Sequence, residues 1–226
     1  YLGLLGLMVS WLFMGIVARR GGLTHTRGTI AVGMWGVPFF LGVPLFGRDV
    51  YSYIAQGLLV RSGLDPYTAS PSLLSHHSVI YESVAVVWRT TSSPYGPLWV
   101  FLTKFTVGIA GHGPITQVLC FRVLAVTFFG VLVVSSLALA RQHGVNVGVV
   151  WWLIALNPLV LASVVSSAHN DVIMMALIAV ALWSHGKGHP LLATALFAVA
   201  ACVKLPALAG VVIVSLATSG SARQRV

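Results

Sequence analysis

The chain's 226 residues include 13 Lys and Arg but only four Asp and Glu, for a formal charge of +9; 58% are hydrophobic and 8% charged. Soluble domains carry about 25% charged residues, so this composition cannot build a water-facing surface. Mean hydropathy is +0.94, and several apolar runs approach the roughly 20 residues that span a bilayer core. The absence of long alternating strands argues against an outer-membrane barrel. The cations lie mostly in short loops between apolar runs, which fits the positive-inside rule better than a nucleic-acid patch. Cys120 and Cys202 both lie inside apolar runs and read as packing residues. The expectation is an all-α, polytopic transmembrane helical bundle, with residues 1–226 forming a single transmembrane domain. The chain opens at Tyr1 inside an apolar run, without a cleavable signal pattern, and reads as part of a longer protein.

Residues 1–17 form the first apolar segment, and the acid-free basic stretch 18–28 is placed in the cytoplasm. Residues 29–46 cross outward, bent by Pro38 and Pro44. Residues 47–94 form a large extracytoplasmic loop. The apolar segment 93–113 is interrupted by Lys104 and flanked by Gly and Pro, so it reads as interfacial or half-inserted. Residues 115–140 return inward, 149–166 go out, and 172–184 come back. Residues 190–219 are interrupted at "VKLPA" and form one bent helix or two half-length helices that double back. The basic tail, Arg223 and Arg225, favours doubling back.

All four acids, Asp49, Asp65, Glu82 and Asp171, then fall on the outer side. Asp49 suits a helix N-cap ahead of "VYSYIAQGLLVRSG". It also shares one helical face with Ser52, Tyr53 and Gln56, a polar and aromatic face suited to a sugar. A carboxylate there can take a proton from a hydroxyl nucleophile, and the adjacent Arg48 favours its ionised form. Asp171 likewise suits an N-cap, but His169 and Asn170 beside it are more polar groups than a cap requires. The helix at 172–184 covers only about 20 Å, which sets "AHND" near the wall of an outward cavity. Asp65 reads as a turn residue before Pro66, and Glu82 as solvent-facing or paired with Arg89. Lys104, Arg122 and Lys204 interrupt apolar runs; snorkelling explains such cations, as does a lipid-linked phosphate. The chain has no Asp-x-Asp pair, Walker loop, dinucleotide fingerprint or hydrolase elbow, so no metal or nucleotide cofactor is expected.

The ordered stretches "GRDVYSYIAQGLLVRSGLDPY", "SPYGPLW", "NPLVL", "AHNDV" and "CVKLPAL" resemble the actinobacterial polyprenol-phosphomannose-dependent α-(1→6)-mannosyltransferases, of the GT-C class of membrane glycosyltransferases. The resemblance spans roughly residues 30–215 and covers the N-terminal half or so of such proteins. It implies a polyprenyl-phosphomannose donor, an α-(1→6)-mannan lipoglycan acceptor, and transfer at the outer face of the bacterial plasma membrane. It also implies that Asp49 is the catalytic base of an inverting, metal-independent reaction. Arg48, Tyr53, Gln56, His169, Asn170, Asp171, Lys204 and Arg122 are the substrate-binding candidates. Two alternatives stay open: another GT-C transferase, using a sugar such as arabinofuranose, and a lipid-linked sugar flippase or transporter. A donor panel separates the first, and substrate movement without a new glycosidic bond marks the second.

Overall fold

The computed structural model describes residues 2–223, with side chains to residue 216. Every regular element among the described residues is helical. The long elements are α1 (Leu2–Arg19), α2 (His25–Leu41), α3 (Asp49–Arg61), α5 (Pro97–Ala110), α6 (Pro114–Gln142), α9 (Asp171–Gly186), α10 (Pro190–Ala201) and α11 (Leu208–Arg223). Short pieces join them: α4 (Val79–Ser83), α7 (Val147–Val150) and α8 (Pro158–Val160). Two helices, α1 and α6, are long and apolar enough to cross a membrane. A third span arises if the segments Val147–Ala155 and Pro158–Ser166, bent by 43° at Asn157–Pro158, count as one. Length and composition therefore make this a helical membrane protein.

The region read from sequence as a loop, 47–94, is folded against the bundle. Its helix α3 is buried almost all round, by Val50, Tyr53, Ile54, Ala55 and Leu59 among others. Gly57 lets α3 approach α5, since a Cβ there would meet the Thr103 carbonyl oxygen at 2.6 Å. Tyr53, Trp99 and Phe121 join α3, α5 and α6 in an aromatic core. The Tyr53 and Trp99 rings meet edge to face with centroids 4.8 Å apart, and the Trp99 and Phe121 rings lie 6.0 Å apart. At 14 residues, α5 reaches only about 21 Å.

The interruption at "VKLPA" resolves into a turn. Helix α10 ends at Ala201, Leu205–Ala207 make a 3-10 turn, and α11 follows. Gly210 of α11 lies directly against the Phe197 ring of α10, a contact that a continuous helix would place about 20 Å apart. The two halves thus double back, as one of the sequence readings had it. Val214 completes the contact by packing with Phe197, Ala193 and Ala181. Of the basic tail invoked for that reading, Arg225 lies outside the described residues, and only the backbone of Arg223 is described.

Candidate active site

Asp49 is the first residue of α3, with Arg48 in the cap position. No backbone N–H among the described residues donates to the Asp49 carboxylate, so it is not acting as a cap. Its negative charge still suits the positive end of the helix dipole. Asp49 Oδ2 lies 3.2 Å from His169 Nε2. One helical turn on, the Tyr53 hydroxyl donates to Asn170 Oδ1 at 3.3 Å. Burial above all, then Tyr95 and Asp49, pushes the Tyr53 phenol well above its usual value, so it stays a neutral donor.

His169 sits on a loop that the preceding segment shapes. Around Asn157 and Pro158 the helix widens into π turns at Trp151–Ala155 and Leu161–Ser166, a form often found at functional sites. Ser166 and Ser167 then lace this loop to the chain entering α3. Leu45 N donates to Ser166 Oγ at 2.9 Å, Ser166 Oγ donates to the Val43 carbonyl at 3.1 Å, and Ser167 Oγ donates to the Leu45 carbonyl. Beneath the lacing lies Arg122, 2% exposed. Its Nε donates to the Ser166 carbonyl at 2.8 Å. Its Nη1 donates to the carbonyls of Phe40 at 2.6 Å and Gly42 at 2.7 Å. Phe40 and Gly42 lie at the end of α2, where the last carbonyls have no intrahelical partner.

Asp171 is likewise the first residue of its helix, behind Asn170 in the cap position. One of its oxygens, Oδ1, accepts from Lys204 Nζ at 2.7 Å, and Oδ2 lies 3.9 Å from His169 Nδ1. Lys204 arrives from the α10–α11 turn and also lies over the Tyr95 ring, 5.9 Å from its centroid. The turn and the start of α5 are joined by backbone: Gly96 N donates to Val203 O at 3.1 Å, and Leu98 N to Cys202 O at 2.9 Å. A Cβ on Gly96 would collide with the Cys202 carbonyl, so "SPYGPLW" needs glycine to seat "CVKLPAL".

The structure brings Asp49, Tyr53, His169, Asn170, Asp171 and Lys204 together. Arg48 is exposed and faces away, lining a groove of about 300 Å³ with Glu82 and Tyr51. The close side-chain contact of Asp49 is therefore with His169, not Arg48. That groove shares Val43, Pro44, Tyr51 and Ser83 with an apolar one of about 440 Å³ that reaches Arg122. Residues 168–171 line neither groove, so the expected cavity wall at "AHND" is not part of them. Gln56 is buried and its Oε1 accepts from Ser93 Oγ at 3.2 Å. Lys104 projects from the exposed side of α5. Asp65 Oδ1 accepts from Tyr67 N at 2.9 Å, as a turn residue should. Arg89 bonds the Glu82 carbonyl rather than its carboxylate. Among the described residues no three His, Cys, Asp or Glu side chains converge on one point as metal ligands would. Sequence reasoning missed Ser166, Ser167 and Tyr95 as site-builders; Tyr95 lies inside "SPYGPLW" and was within reach.

The family model described as "Alpha-(1->6)-mannopyranosyltransferase, N-terminal domain" matches residues 1–220. Alpha-(1->6)-mannopyranosyltransferase A of Mycobacterium tuberculosis is 31% identical over 201 residues, 89% of this chain and 39% of that relative. Alpha-(1->6)-mannopyranosyltransferase A of Corynebacterium glutamicum is 30% identical over 171 residues, 76% of this chain and 34% of the relative. Alpha-(1->6)-mannopyranosyltransferase B of the same organism is 30% identical over 190 residues, 78% of this chain and 31% of the relative. The chain thus spans well under half the length of these relatives. No solved structure matches it.

Proposed function

The chain belongs to the alpha-(1→6)-mannopyranosyltransferase family, within its N-terminal domain, and from that membership we propose that the protein transfers mannose from polyprenyl-phosphomannose to an α-(1→6)-mannan lipoglycan. The reaction takes place at the outer face of a bacterial plasma membrane, on a GT-C framework in which residues 47–94 are extracytoplasmic and 1–226 form one transmembrane domain. The observation that carries this reading is a partly exposed carboxylate, Asp49, beside His169 and the Asp171–Lys204 pair.

The chemistry follows from that grouping. Asp49 accepts the proton of an acceptor hydroxyl as the oxygen attacks the anomeric carbon. The bond from that carbon to the phosphate oxygen breaks, and its electron pair leaves with polyprenyl phosphate. Attack opposite the leaving group inverts the anomeric centre. The departing phosphate is a stable anion and needs no general acid. Lys204 is the cation proposed to meet phosphate. Asp171 is the polar group proposed to meet the sugar. Tyr53, Gln56, Asn170 and Arg122, all buried, support the wall on which these groups stand.

The test is transfer of labelled mannose from polyprenyl-phosphomannose to a synthetic mannoside, in membranes containing the protein. An α-(1→6)-linked product is expected. No transfer above control membranes contradicts the reading, and transfer only from polyprenyl-phosphoarabinose moves the protein to a different sugar.

A further inference from the structure

We infer that His169 is the positioning residue for Asp49: it holds one carboxylate oxygen and leaves the other free for the incoming hydroxyl. This rests on the reading of Asp49 as the base. A carboxylate on a freely rotating side chain presents either oxygen in many orientations, and a misplacement of about 1 Å can cost on the order of 100-fold in rate. Asp49 Oδ2 lies 3.2 Å from His169 Nε2. The other ring nitrogen, Nδ1, lies 3.9 Å from Asp171 Oδ2, and Asp171 is itself fixed by Lys204 at 2.7 Å. The imidazole therefore sits between carboxylates from two helices, with Lys204 behind the second.

The backbone is shaped to keep it there. Phe46 and Ala168 both have positive φ, 62° and 53°, a conformation that is costly for a side-chain-bearing residue and persists only where its surroundings enforce it. Phe46 precedes the approach to Asp49, and Ala168 immediately precedes His169. The serine lacing of 43–45 to 166–167 joins the two stretches of chain just ahead of these turns. Gly47 completes the seat. A Cβ there would lie 3.0 Å from His169 Nε2, so any larger residue must displace the ring. Two strained turns, one lacing and one glycine thus converge on a single contact.

The experiment measures kcat and KM for transfer in membranes, with the whole protein, for Asp49→Asn, His169→Ala, His169→Gln, Gly47→Ala and the Asp49→Asn/His169→Ala double variant. His169→Ala should lower kcat about 10- to 100-fold with KM for donor and acceptor unchanged within about twofold. His169→Gln should recover most of that loss, because its amide N–H reaches where Nε2 stood. Gly47→Ala should lower kcat with His169 itself unsubstituted, by crowding its ring. The double variant should be no slower than Asp49→Asn alone, the signature of a residue acting through another. Loss expressed in KM, multiplied losses in the double variant, or no rescue by Gln would overturn the role of His169 while leaving Asp49 as base. Normal turnover by Asp49→Asn overturns the underlying reading, and the role of His169 with it.

Discussion

Two charged nodes lie on either side of the loop at 166–170, and they use charge in opposite ways. Arg122 is buried, and its guanidinium is engaged by three backbone carbonyls from α2 and the π turn. The chain of Asp49, His169, Asp171 and Lys204 is a quarter to almost half exposed, and its partners are other side chains. A charge committed to backbone carbonyls in a water-poor interior holds structure, since losing it strands acceptors that nothing else satisfies. A charge facing solvent contributes little stability and stays available to a ligand. The contrast teaches where to look for chemistry: stability should reside at Arg122, and turnover at the exposed chain.

Substitutions can break that contrast. The largest loss of stability is expected from Arg122→Leu, about 2–4 kcal/mol, because the carbonyls of Phe40, Gly42 and Ser166 lose their donors; thermal unfolding in detergent measures it. Gly96→Ala comes next, at about 1–3 kcal/mol, since the new methyl group must push α5 off the α10–α11 turn. Tyr53→Phe should cost about 1 kcal/mol by removing the donor to Asn170. The same variant sharpens the account through pH. A phenol whose value is raised on folding contributes stability that is whole below its ordinary value of 10.0 and is lost as pH rises through the raised value. Unmodified protein should therefore lose stability above about pH 10, and Tyr53→Phe should lose less. Lys204→Met should change stability least, under about 1 kcal/mol, because the pair with Asp171 is more than a third exposed. Its transfer at limiting donor should nevertheless fall, through a raised donor KM. A large melting shift for Lys204→Met, or none for Arg122→Leu, would collapse the distinction between the nodes.

Much of the architecture was legible because composition and run length are one-dimensional signals. The helical class, the break at "VKLPA" and the helix that begins at Asp49 all came from local pattern. The basic tail favoured doubling back at the break, and the contact that makes it, Gly210 against Phe197 across two helices, came only with the fold. Both candidate carboxylates invited an N-cap reading, yet each stands one position inside its helix, leaving the carboxylate free for tertiary partners. The site's members were named individually from polarity in apolar surroundings. Their pairing was not, because residues 49, 169, 171 and 204 are joined only by folding. Arg122 shows the limit of the rule that intramembrane cations face ligands: its partners are carbonyls at a helix end, invisible until α2 is seen to stop at Leu41.

The most direct measurement compares Asp49→Asn with the unmodified protein for mannose transfer from polyprenyl-phosphomannose, alongside donor binding and thermal unfolding. Asparagine keeps the size of the side chain but cannot take a proton. The account predicts turnover lower by about 100-fold or more, with donor binding and melting temperature unchanged. Turnover near that of the unmodified protein would contradict it, and would leave Asp49 a surface residue of α3 with no part in the chemistry.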